Sequence, residues 1–100
     1  MKRKKVYKLL DGERDYQDVS WNESTTNSRG IHTPGEWLVF LQDYLTQAMH
    51  IASRLPEPKA KEETMIMIRK IAAMGVCAME QNGCSPREFE QIKYGRHQTS

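Results

Sequence analysis

Apolar residues recur at intervals of three and four from Thr33 to Met79, and this stretch carries 25 of the 38 hydrophobic residues in the chain. That period gathers them on one stripe of a helix. The first of two predicted helices has a marked start. Thr33 as N-cap, Pro34 at the first helical position and Glu36 three residues after the cap make a capping box with proline at its favoured site. Trp37, Leu41, Tyr44, Ala48, Ile51 and Leu55 then form the stripe, and Leu38, Leu45, Met49 and Ala52 broaden it. So broad a face needs partners on more than one side. The helix stops before Pro56, because a residue preceding proline avoids the α region.

Pro56-Glu57-Pro58 is a stiff, extended break, and a second helix is predicted over about 59–82, with Met65, Ile68, Ile71, Ala72, Val76 and Met79 on its stripe. Ala72, Ala73, Gly75 and Ala78 permit close approach of another helix, and Gly83 ends it as a C′ residue would. Residues 6–18 carry a weaker helical period at Val6, Leu9, Leu10 and Tyr16, with Gly12 in the middle. Residues 22–32 are a long loop rich in turn formers. Ser85, Pro86 and Glu88 form a second capping box that opens a short helix with Phe89 and Ile92. No segment has a strand period above background. The expected fold is all-α, a small bundle of three to four helices. Its two long helices pack antiparallel across the proline link, and oligomerisation completes the core. The expected organisation is a basic arm at 1–8, a single helical domain at 9–94 and a loose tail at 95–100.

Charge adds a second asymmetry. The net charge is +2, but Lys2, Arg3, Lys4, Lys5 and Lys8 stand together with no acid among them. The rest of the chain has ten basic and thirteen acidic side chains, a net of −3. A basic arm on a mildly acidic body suits nucleic acid or an anionic partner, and it is equally the pattern of a solvated terminus. No apolar run approaches the ~20 residues of a membrane helix. The mixed segment after the basic start is unlike the apolar stretch of a signal peptide. The expected location is the cytoplasm, with no membrane partner. Cys77 and Cys84 match no zinc spacing; Cys77 belongs to the core and Cys84 is a free thiol in a turn.

Candidate chemistry is sparse. Glu13 to Asp18 form a dense polar cluster, from which Arg14 and Gln17, with Trp21 close behind, are candidate ligand-binding residues. His32 lies near a helix N-terminus, where free N–H groups and the dipole favour an anion. Asp43 shares a polar helix face with Glu36, Gln47 and His50. Arg69 and Lys70 interrupt an apolar helix and must reach water, an acid or a phosphate. Each has a plain structural alternative: a charged outer face, a loop histidine, a tryptophan buried against the bundle, a snorkelling cation. No serine or threonine sits in a P-loop or a nucleophile elbow, and no catalytic residue or metal-ligand set can be assigned.

Several of these residues occur in a suggestive order: Glu13-Arg14-x-x-Gln17, Trp21, His32, Gly35-Glu36-Trp37-Leu38, and Ile68-Arg69-Lys70-Ile71-x-Ala73-x-Gly75-Val76-x-Ala78-Met79-Glu80-Gln81-Asn82-Gly83. In this order the chain resembles small phage and prophage proteins that are themselves similar to the MazG-like, all-α nucleoside triphosphate pyrophosphohydrolases. The resemblance implies a helical, oligomeric scaffold in the cytoplasm of a host cell. Enzymes of that superfamily hold Mg²⁺ with E-E-x-x-E on one helix and E-x-x-D on the next. In this chain the first slot reads Asp43-Tyr44-Leu45-Thr46-Gln47, where only Asp43 is acidic. The second falls near Arg69-Lys70-Ile71-Ala72, and residues 64–79 contain no acid.

Magnesium catalysis works by clustering oxygen ligands around the ion. The expected function is therefore binding without catalysis and without a cofactor, the ligand being a nucleotide, a nucleotide-derived signal or a host protein. Two alternatives stand beside it. One is a surviving Mg²⁺-dependent pyrophosphohydrolase that uses Asp43; the other is a nucleic-acid or host-protein binder that uses the basic arm.

Overall fold

The computed structural model describes residues 1–20 and 31–88. They form three helices, α1 (Arg3–Ser20), α2 (Pro34–Arg54) and α3 (Lys59–Asn82). There is no strand among the described residues, and no helix there is long and apolar enough to cross a membrane. Trp21, most of the expected loop over 22–32 and the segment carrying Phe89, Ile92 and the tail lie outside the described residues. Residues 83–88 are not helical, so the box at Ser85 starts no helix within them.

Local chemistry sets the ends of α2 and α3. The Glu36 backbone N–H donates to Thr33 Oγ1 at 3.2 Å, and the Thr33 N–H donates to Glu36 Oε1 at 2.8 Å. These reciprocal bonds satisfy two donors that a helix start leaves open. The bond from the Thr33 backbone holds the Glu36 carboxyl below its ordinary range. Leu55 caps the far end in an extended conformation just before Pro56. The link contains a cis Glu57–Pro58 peptide bond, and Glu57 Oε1 accepts from the Lys61 N–H in the first turn of α3. Gly83 ends α3 at φ +79°, and its N–H donates to the Met79 carbonyl. Only glycine adopts that backbone region without strain. At the other end of the chain, α1 begins at Arg3, so Arg3, Lys4, Lys5 and Lys8 lie on its opening turns with no break at residue 8.

The central helix is α3. It packs on α2 along one side and on α1 along another, while α1 and α2 do not meet. Trp37 at the start of α2 reaches Gln81 at the end of α3, so this pair is antiparallel. Its core is Trp37, Met74 and Cys77, flanked by Leu41, Tyr44 and Ala78; Trp37 and Met74 are 3% and 2% exposed. Burial pushes the Cys77 thiol above its ordinary pKa. The stripe of α2 falls where its period places it as far as Ile51, but Leu55 at its end and the broadening residues Leu38, Leu45, Met49 and Ala52 are exposed.

The stripe expected on α3 is displaced. Met65, Ile68, Ala72 and Met79 are exposed, Ile71 and Val76 are half-buried, and the buried residues are Ala60, Met67, Ala73, Met74 and Cys77. This helix carries apolar residues around most of its circumference, so periodicity alone selects the wrong side.

Candidate functional site

The polar side chains singled out in the sequence converge on the face of α3 that meets α1. Glu13, Arg14 and Gln17 lie within about one helical turn on α1, and all three are buried. This is the reverse of the outer charged face that their composition suggests. Each is buried because a partner on α3 receives it. The Arg14 guanidinium forks onto Glu80, donating from Nε to Oε2 at 2.9 Å and from Nη2 to Oε1 at 2.8 Å. The same Nη2 lies 2.8 Å from Asp18 Oδ1, one turn along α1. Arg69 Nε donates to Glu13 Oε1 at 2.8 Å. Gln17, 2% exposed, donates from Nε2 to the Lys70 carbonyl oxygen at 3.2 Å.

Two-point bonding of a guanidinium to a carboxylate is strong and fixes direction. The pair keeps Arg14 charged, with its pKa raised chiefly by Glu80, and holds the Glu80 carboxyl below its ordinary value. The two ion pairs run in opposite senses across the seam, an α1 acid to an α3 base and an α1 base to an α3 acid. A register slip of one turn would break both pairs.

A second polar knot ties the start of α2 to the end of α3. Gln81 Oε1 accepts from the His32 backbone N–H at 3.0 Å and from Trp37 Nε1 at 2.8 Å. Asn82 Nδ2 donates to the His32 carbonyl oxygen at 3.2 Å and to that of Ala78 at 3.0 Å. The His32 ring stands edge-to-face against Trp37 and Phe40, with centroids at 5.4 and 4.8 Å. Its Nδ1 is 3.8 Å from Glu36 Oε1. His32 thus closes the top of the α2–α3 core.

The remaining candidates separate from this group. Asp43 lies on the exposed face of α2, where its Oδ2 accepts from Gln47 Nε2 at 3.2 Å. Glu36 is committed to its cap. Lys70 contributes its carbonyl to Gln17. No three His, Cys, Asp or Glu residues among the described residues are grouped closely enough to hold a metal ion.

Sequence reasoning misses Glu80 and Gln81 as functional positions. They are 66 and 44 residues from Arg14 and Trp37, and no local spacing links such pairs. The one available signal is the run Glu80-Gln81-Asn82-Gly83, in which every residue is committed. Glu80 holds the ion pair, Gln81 accepts twice, Asn82 clamps two carbonyls and Gly83 ends the helix.

Compared with family models, with curated proteins and with solved structures, the chain matches none.

Proposed function

We propose that the chain is a non-catalytic helical binding module, a phage or prophage accessory protein on a degenerate MazG-like scaffold, and that it docks an acidic surface of a host protein. The support is a contrast between two groups of cations. Arg14 and Arg69, the bases at the seam, are taken up by Glu80 and Glu13. Arg3, Lys4, Lys5 and Lys8 on the opening turns of α1, and Lys2 just before it, have no ion pair among the described residues. No acid stands in that first turn, and four of these lysines line one open concavity with Met1.

Like charges stacked at the positive end of a helix dipole repel one another and the dipole. An anionic partner relieves both. The seam cations are occupied in tying helices together, so ligand binding is assigned to the exposed cluster.

A second reading follows from the same cluster. Free N–H groups at a helix start suit phosphate, so a nucleotide or nucleotide-derived signal would also bind there.

Chemical crosslinking in host extract, with adducts identified by mass spectrometry, tests the two. The first reading expects a discrete protein adduct that is lost in the K2Q/K4Q/K5Q/K8Q variant and weakened by salt. Thermal stabilisation by nucleotides or cyclic dinucleotides, abolished by the same variant, would install the second reading. An adduct that survives neutralisation of all four lysines contradicts the first reading, and nucleotide stabilisation that survives it contradicts the second.

A further inference from the structure

Among the described residues, the face of the α2–α3 pair turned away from α1 has no cover. Leu38, Leu45 and Met49 on α2 and Met65, Ile68 and Met79 on α3 are each between 46% and 66% exposed. Along α3 the positions Met65, Ile68, Ala72, Gly75 and Met79 follow the alternating three-and-four spacing of a helix seam. Along α2, Leu38, Gln42, Leu45, Met49 and Ala52 do the same. The two lines lie side by side. Trp37 is level with Gln81, and Ala52 shares a hollow of about 250 Å³ with Met65. An antiparallel register through those two contacts sets Leu38 beside Met79, Gln42 beside Gly75, Leu45 beside Ala72, and Met49 beside Ile68. None of these positions carries a charge.

We propose that this face is the interface of a symmetric dimer, with a second copy of the chain as its occupant. The six large side chains expose roughly 600 Å² per copy, so about 1,200 Å² in a pair, which reaches the lower range of stable interfaces before any rim is added. The relief of the face is also complementary to itself. A two-fold axis perpendicular to the helices and passing through the Leu45–Ala72 level exchanges levels on either side of it. The bulky Met49–Ile68 level of one copy then meets the Gln42–Gly75 level of the other, where the α3 side has no side chain at all. A Cβ built on Gly75 meets nothing within 4 Å in the single chain. Among the described residues of one chain the space there is open, and Ile68 of the second copy would fill it. The result is a four-helix arrangement with α1 of each copy on the outside, within the expected geometry of antiparallel bundles.

Sedimentation of the full chain tests the interface, with a mass twice the 11.6 kDa of one chain expected at micromolar concentration. Ile68→Glu is expected to weaken the dimer at least a hundredfold. Gly75→Leu is expected to do the same while leaving the helical circular-dichroism signal intact, because neither side chain is needed inside a single chain. A disulfide test fixes the axis. In a Cys84→Ser background, Ala72→Cys is expected to crosslink to its own copy under mild oxidation, and Met65→Cys is not. A monomer at 100 μM, a dimer indifferent to Ile68→Glu, or crosslinking by Met65→Cys in preference to Ala72→Cys would overturn the proposal. A monomer would leave the face to a foreign protein.

Discussion

Two seams hold α3, and they work by different physics. Against α2 it buries Trp37, Met74 and Cys77 in an apolar core. Against α1 it buries Glu13, Arg14 and Gln17, each held by a polar partner. An apolar seam gains from area and tolerates small slips. A polar seam gains little net free energy, because desolvation offsets most of the attraction, yet it penalises any mismatch heavily. The α2 seam therefore supplies stability and the α1 seam supplies register. A helix that carries four cations on its opening turns, with Lys2 just before them and no ion pair to any of the five among the described residues, is held where those cations face outward.

Breaking the apolar seam should cost most. Trp37→Ala removes the largest core side chain and the Nε1–Gln81 bond, and is expected to destabilise by about 3–5 kcal/mol in urea titration at fixed protein concentration. On the polar side, Glu80→Ala leaves Arg14 buried with Asp18 as its only carboxylate and should cost roughly 1–3 kcal/mol. If Glu80→Ala proved as damaging as Trp37→Ala, the polar seam would be the main source of stability and the comparison would invert.

Acid separates the seams more gently. The carboxyls of Glu80 and Glu36 are held below the ordinary value of 4.5, by the Arg14 guanidinium and the Thr33 backbone bond respectively. A carboxyl whose pKa is lowered on folding contributes stability that is complete above its unfolded pKa and is lost as pH falls through its folded one. Wild type and Glu80→Gln should therefore differ at neutral pH and converge in melting temperature as pH drops below 4.5. A gap that widens on acidification would have the sign wrong. The smallest expected effect is at Asp43. Its side chain bonds Gln47 on an exposed face, so Asp43→Ala should shift stability by no more than about 0.5 kcal/mol.

The apolar seam is readable in the sequence only on the α2 side. Thr33, Pro34, Glu36, Pro56 and Gly83 carry local rules for starting and stopping helices, and they mark the bounds of α2 and the end of α3. Trp37, Leu41, Tyr44 and Ala48 recur at one period, and the structure buries or half-buries all four. On α3, methionines and isoleucines occupy two faces at once. The period cannot say which pairs within the chain and which stays outside.

The polar seam is invisible in the sequence for a simpler reason. Glu13, Arg14 and Gln17 look like any solvated helix face until the residues they meet, more than 50 positions away, are brought against them. Arg69, set in an apolar helix, needs an acid, water or phosphate, but nothing in the sequence chooses Glu13 for it.

The most direct measurement is a double-mutant cycle on Arg14 and Glu80, using Arg14→Ala, Glu80→Ala and the pair, by urea denaturation at pH 7 and fixed protein concentration. A clamp between α1 and α3 predicts that the two losses are not additive, with a coupling of about 0.5–3 kcal/mol. Additive losses would mean that the two side chains act independently, and the polar seam would not hold the first helix in place.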